Sequence, residues 1–509
     1  MRTGDRGLSA ERGIRRTDRN PGFRSFSLVI RPAYQRTGAI MTDTEAEPNT
    51  SAAEPSVGAE GYERGLNSRQ IQMIAIGGAI GTGLFLGAGG AIEKAGPSLI
   101  AAYAVAGVLI FFVMRALGEL LMYRPVAGSF AEYAREFFGP FAGFVTGWTY
   151  WVMWVVTGMA EITAAGVYVQ YWWPAVPQWV TALVVLLVLF AANLISVKLF
   201  GEFEFWFSMI KVTAIIGMIL VGIGVLMFGF GEAGDQASVS HLWSDGGFAP
   251  HGVGETLMVL QIVMFAFLGV ELVGVTAGEA QDPEKVLPRA INTIPFRIGL
   301  FYIGALVVIL SLAPWTDFHA KESPFVLVFD RVGIPAAAAI INFVVLTAAL
   351  SSCNSGLYST GRMLRTLAVE GQAPPQVSRL SSHRVPAMAI IVSAIVMGVG
   401  VLINALVPDK AFMYITSVAT VGALWTWGMI VACQMRYRRA VDRGRLEGHG
   451  FRMPGAPYTG WAVLAFLAMV VILLGFSADT RIALYVVPIW VVFLVAAYIP
   501  ARRGKPMKV

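Results

Sequence analysis

The chain has little charge and few residues suited to metal or redox chemistry. Only 14% of its 509 residues are Asp, Glu, Lys or Arg, against about a quarter in a soluble domain. The sequence has two cysteines, and Cys353 and Cys433 lie far apart in apolar segments. We therefore expect buried thiols, with neither a disulfide framework nor a metal site. The scarcity of charge excludes an ordinary soluble fold.

The chain is correspondingly rich in apolar residues. Hydrophobic residues make up 56% of the chain, which also contains 55 glycines and 13 tryptophans. This composition is typical of membrane spans whose small residues pack closely and whose aromatic residues lie at the lipid interface. The sequence predicts one integral membrane domain in contact with lipid.

The basic residues indicate membrane topology rather than a nucleic-acid partner. The net charge is +6, but Lys and Arg lie in short loops between apolar runs. Alternate loops are rich in them: Arg124, Arg135, Lys198, Lys285, Arg289, Arg379, Arg384, Arg436, Arg438, Arg439, Arg443 and Arg445. The other loops contain few: Lys94, Lys321, Lys410 and Arg481. The positive-inside rule places both termini in the cytoplasm, and we expect a bacterial inner membrane.

Residues 1–68 are polar and are predicted to form a disordered cytoplasmic tail. Residues 1–40 are Arg-rich and contain no apolar run long enough for a signal peptide, whereas Met41 opens an acidic stretch rich in Ser, Pro and Ala. We expect translation to start at Met41. The alternative is a basic arm that lies against anionic lipid.

A series of apolar segments follows the tail, each near the ~20 residues needed to cross a bilayer. They are predicted at 71–92, 97–121, 140–171, 178–197, 203–229, 254–279, 292–313, 335–365, 385–407, 410–434, 459–477 and 482–500. The expected organisation is a ten-helix core at 69–435, a cytoplasmic loop at 436–458, two additional transmembrane helices at 459–500 and a basic tail at 501–509. The expected fold class is therefore an all-α membrane protein with twelve transmembrane helices.

Glycine interrupts the first and the sixth of these segments. The first reads IAIGGAIGTGLFLGAGG and the sixth reads FAFLGVELVGVTAGE. Interrupted helices at corresponding positions in two halves are the pattern of an inverted-repeat transporter, whose substrate site lies at the breaks near the membrane midplane. Glycines that simply permit close helix packing are the alternative.

The two breaks would offer opposite chemistry to a ligand. Unwinding of the first segment would expose amide N–H groups that can hold a carboxylate, at Ile80, Gly81, Thr82 and Gly83. The break around Phe265 to Glu271 would free carbonyls that can accept an ammonium group, at Phe265, Ala266, Phe267 and Leu268. Together they would bind a zwitterion.

Charged residues inside spans are costly in a membrane, so each is a candidate for function. Lys211 lies about two turns into the fifth span, where a lysine can take up and release H⁺. The alternative is a structural ammonium bonded to carbonyls or hydroxyls. Glu271, beside the second break, either accepts a proton or caps a half-helix, and a purely structural role is equally open.

Three further charges are interpreted as gating or structural. Arg115 and Glu119 are four residues apart near the cytoplasmic end of the second span, which is the helical spacing for an ion pair. Glu161 in the third span either lines a pocket or packs between helices.

The eighth span places three polar residues on neighbouring helical turns: Ser351, Ser352 and Asn354. They either bond between helices, which is the ordinary case in membranes, or line an ion or proton site.

Several longer motifs resemble a known family. They include IQMIAIGGAIGTGLFLGAG, RALGELL, GSFAEYAREFFGP, GWTYWVMWVVTGMAEITA, FGEFEFWFSMIKV, FAFLGVELVGVTAGEAQDPEKVLPRAINTIP and INFVVLTAALSSCNSGLYSTGRML. From about Leu66 to the last span, the sequence resembles the amino acid transporter family of the amino acid/polyamine/organocation superfamily.

The resemblance implies a five-plus-five inverted repeat with two extra C-terminal helices, and amino acid uptake driven by the proton gradient. The lysine matching Lys211 would occupy the place where sodium-coupled relatives bind Na⁺, so the coupling ion would be a proton and no cofactor is expected. The third to sixth spans look most like D-serine/D-alanine/glycine permeases, whereas LTAALSS and SGLYSTGR in the eighth look more like L-asparagine permeases. Permeases for γ-aminobutyrate or aromatic amino acids are a further possibility.

Two other classes of function are weighed against uptake. An amino acid sensor or an obligate exchanger would use the same fold, although nothing attached to the core resembles a signalling domain. An intramembrane enzyme would need paired catalytic aspartates, a His-Glu-x-x-His motif or a serine near a histidine within the membrane, and every histidine of the sequence lies in a tail or loop.

Overall fold

The computed structural model describes residues 68–78, 80–126, 128–231, 234, 236–277, 282–319, 323–331 and 336–504. Its described residues form helices and connecting turns, with no β-strand among them. The tail predicted at 1–68 lies, except for Ser68, outside these residues, as does the proposed start at Met41. The thiols of Cys353 and Cys433 are buried and unpaired, as expected.

Twenty α-helices make up the described chain. They are α1 Ser68–Gly77, α2 Thr82–Phe85, α3 Gly87–Ala95, α4 Leu99–Tyr123, α5 Ser129–Phe138, α6 Pro140–Gln170, α7 Gln178–Ile195, α8 Val197–Phe228, α9 Gly252–Met258, α10 Leu260–Ala266, α11 Leu272–Thr276, α12 Pro283–Asn292, α13 Ile294–Arg297, α14 Ala305–Leu312, α15 Pro324–Arg331, α16 Ala337–Val369, α17 Ala387–Leu406, α18 Pro408–Asp442, α19 Tyr458–Leu474 and α20 Ile482–Ala501. A π-helical stretch at Ile298–Gly304 joins α13 to α14.

Within the described residues, nine helical segments are long and apolar enough to cross a membrane. They are Gly87–Tyr123, Pro140–Gln170, Gln178–Ile195, Val197–Phe228, Ile294–Leu312, Ala337–Val369, Ala387–Leu406, Lys410–Asp442 and Ile482–Ala501. Two shorter apolar helices, Gly252–Ala266 and Tyr458–Leu474, lie in the predicted sixth and eleventh spans. The chain is therefore a multi-pass, all-helical membrane protein, and the total of twelve spans stays a prediction.

Local sequence signals set several helix ends. Ser196 has extended backbone angles and separates α7 from α8, where its hydroxyl accepts a hydrogen bond from the Leu199 amide. Gly229 ends α8 in the left-handed conformation, with φ of 64°, which glycine adopts without a steric penalty. At the junction of α5 and α6, Gly139 has φ of 95° and Pro140 opens the next helix.

The tenth predicted span ends later than expected. We predicted that it would end at residue 434 and that a loop would follow from 436, whereas α18 continues to Asp442. Arg and Ala favour helix, and Arg438, in the extra turns, is held by a carboxylate on α4. The segment that connects α18 to α19 is correspondingly shorter.

The interior of the described chain lies where α6 packs against α16 and α18. Most of α6 and α16 is buried, whereas α7, α8 and α20 expose large apolar side chains such as Leu187, Leu220 and Ile489. Such outward-facing apolar surface is stable in contact with lipid tails and unfavourable in water.

Close helix packing depends on individual glycines, and α17 offers a matched pair for a test. A Cβ built on Gly400 would lie 2.7 Å from Met159 Cβ and 3.1 Å from Met159 Cα, whereas one on Gly398 would meet nothing within 4 Å. We expect Gly400→Ala to lower the free energy of unfolding by about 1–3 kcal/mol, because the α6 backbone must move. Gly398→Ala should be neutral or slightly stabilising. Thermal unfolding in detergent measures both variants, and equal midpoints would contradict the packing described here.

Candidate functional site

The first predicted break is present in the structure, slightly earlier than expected. Helix α1 ends at Gly77 and α2 begins at Thr82, so the unwound segment includes Ile80 and Gly81 of the predicted Ile80–Gly83 but not Thr82 and Gly83. Gly81 has extended backbone angles, φ −121° and ψ −164°. Thr82 and Gly83 already belong to the following turn, where the first amide N–H groups of a helix have no helical partner.

The second predicted break is also present. Helix α10 ends at Ala266 and α11 begins at Leu272, with Gly269 at φ 103° in the turn between them. The Phe265 carbonyl accepts from the Leu268 amide at 3.0 Å, and the Ala266 carbonyl accepts from the Tyr302 hydroxyl at 3.1 Å. Since a carbonyl oxygen can accept two hydrogen bonds, the Ala266 carbonyl retains capacity for a ligand, whereas the Phe265 carbonyl also accepts from the Phe267 amide.

The two breaks touch each other. A Cβ built on Gly83 would lie 2.5 Å from Ala266 Cα and 3.0 Å from Phe265 Cδ1. Contact this close between two backbones is possible only because residue 83 has no side chain. The turn that follows the first break therefore packs directly against the end of α10, and binding of a zwitterion between the two breaks stays a prediction.

Glu161 and Ser352 face the first break from α6 and α16. A Cβ built on Gly81 would lie 3.3 Å from Glu161 Oε1 and 3.4 Å from Ser352 Oγ. Two buried polar atoms in this place, Thr82 Oγ1 and Glu161 Oε2, have no hydrogen-bond partner. Buried polar atoms are normally satisfied, so this is where a polar ligand would gain most.

Lys211 is fully buried and joins the first break to α16. Its Nζ donates to the Gly77 carbonyl at 2.6 Å, the Ile80 carbonyl at 3.1 Å and Ser351 Oγ at 3.0 Å. An ammonium group has three N–H bonds, so all of its donors are used. The contacts are those expected of a structural ammonium, and they also place the predicted proton carrier against the break.

Sequence reasoning missed Glu204, which completes this group. Glu204 is fully buried, and its Oε1 accepts from Ser351 Oγ at 2.5 Å. It lies seven residues before Lys211 on α8, a spacing that places two side chains on one helix face. That spacing is visible in GEFEFWFSMIK, where Glu204 is the second residue of the predicted fifth span.

Of the three polar residues predicted in the eighth span, two face the first break and one does not. Ser351 contacts Lys211 and Ser352 lies beside Gly81. Asn354 instead accepts a hydrogen bond from Asn193 Nδ2 of α7 at 2.7 Å. It joins two helices, as such residues commonly do in membranes, and it also lies beside Glu204.

Glu271 occupies the residue before α11, but its carboxylate does not cap that helix. Oε2 accepts from the Gly269 amide at 3.2 Å and from Trp427 Nε1 at 3.3 Å, while Oε1 is buried without a hydrogen-bond partner. The capping role is therefore wrong, because the carboxylate turns back into the break. The role of proton acceptor stays a prediction.

The predicted ion pair between Arg115 and Glu119 is wrong. Glu119 accepts from Arg438 of α18, with Nε to Oε1 at 2.5 Å, and from the Met453 amide at 2.8 Å. Arg115 turns to Asn292 Oδ1 at 2.6 Å and packs over the Phe451 ring. Helical spacing made the pair available, but partners from α12, α18 and the segment after α18 satisfy each group separately.

A pocket lies beside the breaks, between α3, α10, α18 and α19. Gly87 and Phe265 form its wall towards the breaks, and Thr416, Ser417 and Thr420 of α18 line it with hydroxyl groups. Apolar walls with a few polar groups are the usual lining of small-molecule sites.

Residues 70–509 match the sequence model of a family described as amino acid permease. Amino-acid permease AapA of Bacillus subtilis is 49% identical over 87% of this chain and 96% of its own length. A probable threonine/serine transporter of the same organism, YbxG, is 47% identical over 87% and 96% of the two chains. L-asparagine permease of Escherichia coli is 45% identical over 87% and 90%.

The pairing of Glu119 can be tested by double-mutant cycles. We expect Glu119→Gln and Arg438→Met to be coupled by about 1–3 kcal/mol, because the two side chains form one buried network. Glu119→Gln and Arg115→Met should be nearly additive. Unfolding in detergent, measured for all single and double variants, supplies the coupling energies, and a larger coupling with Arg115 would contradict the observed pairing.

Proposed function

The chain belongs to the amino acid permease family, and we propose that it takes up small neutral amino acids in symport with protons. The family resemblance carried by the sequence motifs is confirmed, and the relatives are transporters rather than enzymes. The single observation that carries the proposed mechanism is the contact between the two breaks, where Gly83 lies against Ala266.

The proposed architecture is a twelve-helix fold built on a five-plus-five inverted repeat, with α19 and α20 added at the end. The interruptions support it, because α1 to α3 and α9 to α11 occupy the first and sixth positions of ten core spans. The loop charges support a bacterial inner membrane with both termini in the cytoplasm.

In the proposed mechanism, the substrate carboxylate binds the amide groups of Thr82 and Gly83. Its ammonium group donates hydrogen bonds to backbone carbonyls between Phe265 and Leu268. Because α2 is a single turn, individual N–H groups rather than a large helix dipole would supply most of the attraction. One amino acid would thereby hold both breaks together.

Lys211 is the proposed proton carrier. In the charged form it bonds two carbonyls of the first break and Ser351. A neutral amine has only two N–H bonds, so loss of the proton must release at least one of these acceptors. Protonation of Lys211 would thus be coupled to the position of α1 relative to α16.

The proposed substrates are small and uncharged: glycine, alanine and serine in either configuration, and threonine. The relative named as a threonine/serine transporter supports this range, as do the hydroxyl groups of Thr416, Ser417 and Thr420 beside the site. L-asparagine is the second candidate, favoured by the 45% identity to L-asparagine permease of Escherichia coli and by the motifs of the eighth span.

Competition for uptake tests the substrate. Proteoliposomes with an imposed pH gradient, inside alkaline, should accumulate radiolabelled L-alanine, because inward proton flow drives symport. D-serine, glycine, L-serine and L-threonine should compete, whereas γ-aminobutyrate and aromatic amino acids should not. If L-asparagine competes and D-serine and glycine do not, L-asparagine replaces the small neutral amino acids as the proposed substrate.

Lys211→Ala tests the coupling. We expect the variant to lose accumulation driven by the pH gradient and to keep exchange of labelled for unlabelled substrate at equal pH, since exchange needs no net proton movement. Lys198→Ala, on the exposed side of the same helix, is the matched control and should accumulate normally. Gradient-driven accumulation by Lys211→Ala at the wild-type level would reject proton coupling through this residue and favour an exchanger.

A further inference from the structure

A continuous chain of hydrogen bonds leads from Lys211 to a second buried ionisable residue. Lys211 Nζ donates to Ser351 Oγ at 3.0 Å, and Ser351 Oγ donates to Glu204 Oε1 at 2.5 Å. Lys211 and Glu204 are both fully buried. The other carboxylate oxygen, Glu204 Oε2, has no hydrogen-bond partner, so the carboxylate has unused capacity to hold a proton.

Glu204 lies towards the beginning of α8, which starts at Val197. The seven residues between Glu204 and Lys211 span about 10 Å along the helix axis. In the proposed topology this end of α8 faces the cytoplasm. Glu204 is therefore on the side where an inward-moving proton must leave, whereas Glu161 faces Lys211 from the side of Gly81, where the substrate binds.

We propose that Glu204 is the first acceptor of the proton that Lys211 releases, with Ser351 as the relay. The inference rests on the proposed proton symport. The Lys211 N–H bond breaks as its proton passes to Ser351 Oγ, and the original Ser351 hydroxyl proton passes to Glu204 Oε1. A neutral amine, an unchanged serine hydroxyl and a carboxylic acid result.

The electrostatics favour this route over direct loss of the proton from Lys211. An ammonium beside a carboxylate has no net charge, and an amine beside a carboxylic acid has none either. If Lys211 instead gave its proton directly to water, Glu204 would be left as a buried carboxylate without its counter-ion, which is strongly unfavourable. The relay keeps the interior neutral throughout the step.

Glu161 of α6 faces Lys211, whereas the described helices packed around Glu204 supply polar but uncharged groups. Helix α16 contributes Ser351, Asn354 and Ser355 to the surroundings of Glu204, and Asn193 of α7 reaches Asn354. Helix α14, which also packs on α8, carries no ionisable residue. Among the described residues around Glu204, Lys211 is thus its ionic partner.

Beyond Glu204, the same faces of α8 and α16 form a cover. The rings of Phe200 and Tyr358 stack at 3.9 Å between centroids, and the Arg362 guanidinium lies over Tyr358. Farther out, Arg69 of α1 pairs with Glu202 at the exposed end of α8. A proton held on Glu204 is therefore separated from water until the Phe200–Tyr358 pair parts.

Proton flux and substrate exchange, measured on the same proteoliposomes, test the relay. Glu204→Gln keeps the size of the side chain and its hydrogen bond to Ser351 but cannot take a proton. Pyranine trapped inside the vesicles reports proton entry, and labelled L-alanine, L-serine and L-asparagine report transport. We expect Glu204→Gln to lower gradient-driven accumulation and substrate-dependent proton entry by about tenfold or more, as for loss of a proton-transfer group. Exchange at equal pH should stay close to the wild-type rate.

Two further variants separate the relay from a structural effect. Ser351→Ala removes the hydroxyl between the two ionisable groups. Like Glu204→Gln, it should lose gradient-driven accumulation and keep exchange. Glu202→Gln makes the identical chemical change two residues away, on a side chain that contacts Arg69 and Gln70, and should behave as wild type.

The outcomes are distinct. Loss of exchange together with accumulation in Glu204→Gln would show a purely structural carboxylate and overturn the inference, as would normal accumulation in that variant. In both cases the proposed symport would stand, because the wild type and Lys211→Ala test it separately. Absence of gradient-driven accumulation in the wild type itself would overturn the proposed symport, and with it this inference.

Discussion

An unwound segment inside a bilayer exposes peptide carbonyls that lipid cannot satisfy, and the Lys211 ammonium satisfies two of them. This interaction fixes the break against α8 and α16. The Gly77 carbonyl also accepts from the Ile80 amide at 3.0 Å, so the ammonium is its second donor, and a backbone carbonyl left without any donor would be costly in a membrane. The buried Lys211 ammonium and the unwound backbone segment are each costly in a membrane, and each stabilises the other through these hydrogen bonds. Each explains the presence of the other.

The same ammonium links the break to a polar line between α8 and α16. Ser351 and Glu204 continue from Lys211 along one face of each helix, and the aromatic pair of Phe200 and Tyr358 covers the line towards the end of α8. On the opposite side of the break, Glu161 and Ser352 approach Gly81. The substrate site and the proton site are therefore neighbours that share one short piece of backbone, which is the physical basis for coupling them. A shift of α1 would alter the contacts of both sites at once.

Glycine has a second role in this arrangement, distinct from its conformational freedom. Gly83 allows the half-helix after the first break to contact Ala266 at the end of α10. The large apolar surfaces of α7, α8 and α20 place this polar interior inside a membrane. Away from the breaks, the hydrogen bonds of Glu119 with Arg438 and with the Met453 amide connect the end of α4 to the end of α18.

Composition and periodicity alone determined that the chain is an all-helical, multi-pass membrane protein, because long apolar runs have no other stable use. They also located both breaks to within a few residues, since glycine clusters in apolar helices are local signals. Motifs spread along the chain identified the family. Tertiary structure alone decided the pairing of charges: Glu119 bonds Arg438, 319 positions away, instead of its helical neighbour Arg115. It also revealed Glu204, whose importance depends on Ser351 of a distant helix. Local patterns follow from a few adjacent residues, whereas a buried charge takes whichever partner the folded chain brings to it.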